Sequence, residues 1–390
     1  MLPRIVLFLL ILVFVVVPAV SHLVWRFSDE TVIKTLIVDK TVLDNRMDEH
    51  VSYNWVMRHN RVKMSTRDDH RPGTDYYGFF PLGDGKFGIR DFNSFTTTQL
   101  DSLADDYDMM YVTDTYGVYR EEWDAMYVEP DPNIRLWNPV TRTDMMYGGT
   151  NHRDVDMMLR FKERGKPLIA EFNMMAAPTT NEVRQRFEEQ FDVQWSGWTG
   201  RYFESLSIDQ DVELPQWLID NYKAQRGRDW LFTKPGLVFV NNDGQIVILE
   251  RDTHMISVAP YIHTPIDDQK RFGMDAKVRY PFWFDIVSHG DSNRTVSTYR
   301  LNPNDNGRTL LQQFGIPEEF PAVIEGLSDQ HTFYYFAGDF ADNPISMRMS
   351  SFWKVDWISR FFYTNELDDR RGFFWNFYRP MVTTILKETR

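Results

Sequence analysis

From Ile5 to Val20 the chain is apolar apart from Pro18, and nothing beyond Phe27 repeats such a run. Counted on through Ser21 and His22 to Trp25, it is about 21 residues, close to the roughly 20 that a helix needs to cross a bilayer. The run lacks a polar face, which speaks against a buried core helix. Two readings compete. One is an uncleaved signal anchor, with Trp25 at the membrane interface. The other is a cleavable signal peptide with Ala19-Val20-Ser21 as its processing site. The division expected is residues 1–27 as signal anchor and 28–390 as an extracytoplasmic body on a short tether, single-pass in the cell membrane. Arg4 lies on one side of the run, with Arg26 and Lys34 on the other, so charge does little to orient it.

Beyond the run the pattern changes to short apolar stretches alternating with helical spacing. Thr35–Lys40 reads as a buried strand (Leu36, Ile37, Val38), followed by a helix with Val51, Trp55 and Val56 on one face. Residues 61–92 read as a loop, punctuated by Arg71-Pro72-Gly73, Gly78, Gly83, Gly85 and Gly88. Thr97–Asp106 is predicted helical and Asp108–Thr113 a strand. Val155, Met158 and Leu159 mark a helix that Asn151 can cap and Gly165 can stop. Pro167–Phe172 is a second buried strand and Thr179–Phe191 a further helix. Such repetition predicts a parallel sheet covered on both faces. Gly236–Val240 and Gln245–Glu250 flank Asn241-Asn242-Asp243-Gly244, a hairpin signal. Strand-like pieces follow at 278–300, and Thr332–Ala337 is a late strand. Ser350–Tyr363 and Gly372–Leu386 are predicted helical and aromatic-rich. No linker divides the body, so the expected fold is one α/β three-layer sandwich with an antiparallel hairpin and a helical C-terminal elaboration.

Composition narrows the chemistry. The 390 residues contain no cysteine, which removes disulfides, thiolate metal sites and every cysteine nucleophile. A net charge of −13 argues against a nucleic-acid partner. Aromatic residues make up 15% of the chain, a surplus that needs placing in the core or on a binding face.

The passage Asp106-Tyr107-Asp108-Met109-Met110-Tyr111-Val112, the helix from Asp154 to Gly165 and the strand Lys166-Pro167-Leu168-Ile169-Ala170-Glu171 together resemble class I glutamine amidotransferase-like domains. Trehalose-utilisation-type and gliding-motility-type relatives of that superfamily share the pattern. The late strand before Gly338-Asp339-Phe340-Ala341-Asp342 resembles the final strand of such domains. The resemblance implies a flavodoxin-like α/β architecture over about residues 35–340. The chain departs from the family at its chemistry. True members carry a Cys on a sharp strand-to-helix elbow, whereas here the strand runs into Glu171-Phe172-Asn173-Met174-Met175, and no Gly-x-Ser-x-Gly replaces it. Glutaminase activity is thereby excluded, and the family relation would be that of a pseudoenzyme.

In open parallel sheets ligands bind beyond the carboxyl ends of the strands. Three predicted strands end in polar groups: Asp39-Lys40, Asp114 with Tyr116, and Glu171 with Asn173. Asp39, Asp114 and Glu171 are therefore the candidate catalytic carboxylates of a hydrolase acting on a carbohydrate, an acid and a base split by environment. Lys40, Tyr116 and Asn173 are candidate ligand contacts beside them. The alternative for each Asp or Asn is a helix cap or turn, and for Asp39-Lys40 a plain ion pair. The run Trp195-Ser196-Gly197-Trp198-Thr199-Gly200-Arg201-Tyr202-Phe203 reads either as a binding platform of Trp198, Arg201 and Tyr202 or as core. Histidine spacing yields no metal site. Carboxylate-only cation binding at Asp339 and Asp342 is weighed against a solvated loop. No phosphate-loop or dinucleotide fingerprint is present, and no cofactor is expected. Two functions remain: a membrane-anchored binding or assembly module for an envelope glycan or envelope protein, and the carboxylate-dependent hydrolase. A purely structural role, with all aromatics in the core, is the third reading.

Overall fold

A computed structural model describes residues 2–128, 144–208, 214–257, 259–328, 330–359, 361, 363–364, 366 and 369–389. Four buried runs become strands where the apolar pattern predicts them: β1 (Thr35–Asp39), β3 (Met109–Val112), β4 (Leu168–Glu171) and β5 (Phe333–Phe336). Every residue of the four is buried, which explains why they read as unbroken apolar runs rather than alternating ones. A fifth strand, β2 (Tyr76–Gly83), lies inside the segment expected to be a loop. All five are parallel, in the spatial order β2-β1-β3-β4-β5. That is the order of a flavodoxin-like doubly wound sheet, with its switch point between β1 and β3.

The missed strand has a local cause. Gly78, Pro81 and Gly83 are poor strand formers on their own, and pairing with β1 on one side and with Lys86–Arg90 on the other makes the segment extended. Gly78 is needed for that pairing: it sits at φ +148°, and a Cβ there would lie 1.5 Å from the carbonyl oxygen of Asp39. Gly78→Ala is expected to destabilise the fold by about 3 kcal/mol or more, read as a drop in the urea midpoint; a change within experimental error would contradict the β1–β2 register. Lys86–Arg90 then folds back antiparallel on β2.

The usual right-handed sense of such crossovers, applied to this strand order, puts helices on both faces of the sheet. Asp48–His59 packs with Arg379–Glu388 on one face, while Thr97–Asp106, His152–Glu163 and Asn181–Phe191 pack in succession on the other. Asn151 accepts hydrogen bonds from the backbone N–H groups of Arg153 and Asp154, and Gly165 takes the left-handed stop, as their positions in the sequence predict. Beyond β5 the sheet continues antiparallel through Glu319–Gly326, Asn293–Arg300, Tyr261–His263 and Lys277–Arg279, so that, among the described residues, it has ten strands.

The predicted hairpin is real, but it belongs to a separate antiparallel sheet. Ile246–Glu250, Gly236–Asn241, Val193–Phe203 and Phe284–His289 lie side by side in that order. The Asp285 N–H donates to the Ala337 carbonyl at 2.7 Å, which stitches this second sheet to the end of β5. It therefore stands as a wall beside the carboxyl edge of the parallel strands. At the C-terminus the helical expectation for 350–363 reduces to two short turns, Met347–Ser351 and Val355–Ser359; Arg360 and Phe362 lie outside the described residues.

The segment Arg4–Arg26 is one helix, long and apolar enough to cross a membrane. It does not hang on a loose tether. Trp25 is buried against the body, with its Nε1 donating to the His59 carbonyl at 3.2 Å and the Arg61 guanidinium 4.9 Å from its ring.

Candidate functional site

The carboxyl ends of the parallel strands and the wall of the second sheet enclose a cavity of about 280 Å³. Its floor carries Glu49, Asp114, Asn173, Asp339 and Asp342, and its walls include Trp195, Arg201, Trp217, Trp283 and Arg370. With Asp48, five carboxylates thus face one space, set there by two strand ends and the start of a helix. Asp114 follows β3 and accepts a hydrogen bond from the Tyr116 N–H at 2.7 Å, which folds the loop back over the strand. Asp339 and Asp342 follow β5. Glu49 is the second residue of the Asp48–His59 helix, where the positive end of the helix dipole favours an acid.

Burial governs the charge of this group. Asp114 is pushed up to about 8, chiefly by loss of water, with Asp39 and Asp285 adding to the rise. Glu49 and Asp339 are raised well above the usual carboxylate range by burial and then by neighbouring carboxylates. Glu49 Oε2 has no hydrogen-bond partner although the residue is only 5% exposed. At neutral pH Asp114 is therefore mostly protonated, and burial favours the neutral form of Glu49 and Asp339 in the same direction. Asp342 differs: its Oδ2 pairs with Arg370 at 2.9 Å, and Arg370 also donates to its backbone carbonyl at 2.6 Å. The Arg370 guanidinium lies 3.7 Å from the Phe282 ring centroid. The cavity thus offers buried acids beside two ion-paired carboxylates, Asp342 with Arg370 and, at 3.5 Å, Asp48 with Arg46. Among the described residues no three His, Asp or Glu side chains are grouped closely enough to hold a metal ion.

The residues singled out in the sequence separate into two layers. Asp114, Tyr116, Asn173 and Arg201 line the cavity. Asn173 sits at φ +63°, in the left-handed region, held by its N–H donating to Asp285 Oδ2 at 3.0 Å. Asp39, Lys40 and Glu171 lie below. Asp39 is fully buried and turned to His50 Nδ1 at 2.5 Å. Lys40 pairs with Asp154 at 2.5 Å and donates to the Gly149 carbonyl at 2.8 Å. Neither lines the cavity, and the two pair with His50 and Asp154 instead of with each other as the ion-pair alternative had it. Glu171 accepts from the Tyr111 hydroxyl and, at 2.7 Å, from the Ala341 N–H. It thereby holds the loop that carries Asp339 and Asp342. Burial raises Glu171 to about 8.

The aromatic platform is corrected as well. Trp198 and Tyr202 are buried in the main core, and only Arg201 of the three reaches the cavity. A bulge between Trp195 and Thr199, with Gly197 at φ +88°, interrupts the strand alternation, so that both tryptophans turn inward. Arg201 packs among Phe203, Phe282 and Trp283, with ring distances of 4.7–5.4 Å. Glu49 and Asp285 carried no signal in the sequence. Glu49 looks like an ordinary first-turn acid, and Asp285 stands in a strand among apolar residues. The second is legible only as a charged residue where the strand pattern calls for an apolar one.

No protein-family profile matches the chain, and no curated protein matches it. Similarity to solved structures is distant. Agd3, described as a novel carbohydrate deacetylase, is 9% identical with a TM-score of 0.33, over 85% of this chain and 33% of its own. The chain thus spans about a third of that protein's length. A ThuA-like protein from Parabacteroides merdae is 11% identical (TM-score 0.34, 78% of this chain and 79% of its own). Another from Bacteroides uniformis is 9% identical (TM-score 0.35, 83% and 90%).

Proposed function

We propose that the protein is a membrane-anchored, carbohydrate-binding protein of the cell envelope whose ligand occupies the cavity at the carboxyl edge of the parallel sheet. The observation that carries this reading is a cluster of buried, protonated carboxyl groups facing tryptophan walls across one 280 Å³ space. Neutral carboxyls both donate and accept hydrogen bonds, as hydroxyl groups require, and the flat apolar rings of Trp217 and Trp283 suit the face of a sugar ring. Placement at the switch point of a doubly wound sheet supports a ligand site there. Descent from an amidotransferase-like ancestor, with the nucleophile position refilled, is part of the same proposal, as is an extracytoplasmic position for the body.

Calorimetric titration of oligosaccharides into the full chain in detergent tests it. Glu49→Ala and Trp217→Ala should each lower affinity by about 10–100-fold, while Glu49→Gln, which keeps a neutral hydrogen-bonding side chain, should bind nearly as the parent does. Affinity indifferent to both alanine variants would remove the cavity from consideration.

A second reading, carbohydrate hydrolysis, is favoured by one feature: protonated Glu49 and Asp114 share the cavity with Asp342, which is held as an ion pair by Arg370. An acid beside a base is the minimum such chemistry needs. Glu49→Gln separates the two readings, because it would preserve binding and abolish turnover that depends on a proton from Glu49.

A further inference from the structure

Ser21 is one residue beyond the apolar run that ends at Val20, and at that level the helix is bonded to a remote part of the chain. Ser21 Oγ donates to the Trp353 carbonyl at 2.8 Å, and the Trp353 N–H donates back to the Ser21 carbonyl at 3.3 Å. His22 Nδ1 meets the Ser351 carbonyl at 2.9 Å. From this junction the chain runs outward through the short helix Val355–Ser359. Val355 and Ser359 are buried, whereas Trp353, Trp357, Ile358 and Phe361 are 51%, 72%, 41% and 82% exposed. Three large aromatic rings at intervals of four residues thus stand open beside the end of the apolar helix.

We propose that Trp353, Trp357, Ile358 and Phe361 form a membrane-contact surface whose rings enter the interface of the same bilayer that Arg4–Arg26 crosses, so that the body rests on the membrane instead of standing off from it. This rests on reading Arg4–Arg26 as a spanning helix. Depth selects the occupant. Ser21 precedes Arg26 by five residues, so Trp353 lies about 7 Å toward the apolar side of the helix end. That is the zone between acyl chains and headgroups in which tryptophan is favoured, since its ring is apolar and its N–H is polar. A water-soluble partner would have to reach the same depth. Lys354, with Nζ 5.7 Å from the Trp353 ring centroid, supplies a cation where lipid phosphates lie. The paired Ser21–Trp353 bonds fix the surface to the helix, so anchoring and contact occur together.

The test uses the full chain in phosphatidylcholine vesicles containing lipids brominated near the carbonyl end of their acyl chains. Brominated lipid should quench part of the tryptophan emission, and Trp353→Phe/Trp357→Phe should lose most of that quenched part. Alkaline carbonate extraction reads the anchor separately. Retention of the chain by the membrane with quenching unchanged in the double variant overturns the contact surface and leaves the anchor standing. Release by carbonate overturns both. A cross-linked dimer that disappears with Trp357→Ser overturns the proposal in favour of a second copy covering these rings.

Discussion

Between pH 6.5 and 8.5 the protein is expected to lose stability steeply, a range in which ordinary exposed carboxylates no longer titrate. Asp114 and Glu171 are raised to about 8 in the fold from ordinary values of 3.8 and 4.5, and Glu49 and Asp339 rise well above theirs. A carboxyl raised in the folded state contributes fully below its unfolded pKa, and the contribution is lost as pH climbs through the folded one. At neutral pH each such group is protonated when folded and ionised when unfolded, so stability falls by about 1.4 kcal/mol per pH unit for each proton retained. The buried histidines act oppositely. His59 and His331 are lowered to about 4 by burial, so they add stability as pH rises from about 4 to 6.5 and nothing further above it. Four raised carboxyls outnumber the two histidines, so the decline should begin between about pH 4.5 and 6.5 and steepen above 6.5, where the histidines no longer oppose it. Urea unfolding at several pH values, with proton release followed by calorimetry in buffers of different ionisation enthalpy, measures both. Glu171→Gln should make the alkaline decline shallower by one proton. A stability that is flat or rising from pH 6.5 to 8.5 would show that these carboxyls are ionised in the folded protein.

Lys40→Met is expected to cost about 3–5 kcal/mol. Lys40 and Asp154 are each almost wholly enclosed, and removing the cation leaves a buried carboxylate with no counter-charge. Asp154 also accepts the Asn151 N–H at the start of its helix, so it cannot turn away to water without uncapping that helix. Adding Asp154→Asn to Lys40→Met should recover a large share of the loss, because the stranded charge is gone while the cap acceptor remains. The check is the difference in unfolding free energy around this double-mutant cycle. Near-additivity of the two substitutions would mean that the pair does not act as a pair. If the double variant folds, it should bind carbohydrate as the parent does, which distinguishes a structural Lys40 from one that touches ligand.

The strands β1, β3, β4 and β5 were legible because burial on both faces demands unbroken apolar runs, and such runs depend on neighbours only for their partners. Caps at Asn151 and Gly165 were legible for a related reason: they answer to backbone groups within four residues. The strand β2 was hidden because Gly78 answers to a close approach to Asp39, and Pro81 to pairing with Phe87, that one-dimensional reading cannot see. Of the site, the strand-end Asp114, Tyr116 and Asn173 could be found from topology alone. Glu49 could not, since its importance comes from a helix start brought against two other strand ends.

Residue composition and apolar periodicity by themselves determined a membrane-length N-terminal helix, a doubly wound α/β body and the impossibility of cysteine chemistry, since each depends on residue type or on spacing within a few turns. Which carboxylates face open space was decided only by the tertiary structure. Asp39 and Asp114 look alike as strand-end acids, yet one is consumed by His50 and the other is left at a cavity, because packing from chain far away in sequence chooses the partner. The same holds for the tryptophans: a single bulge at Gly197 sends Trp198 into the core, while docking at Ser21 leaves Trp353 at the end of the apolar helix.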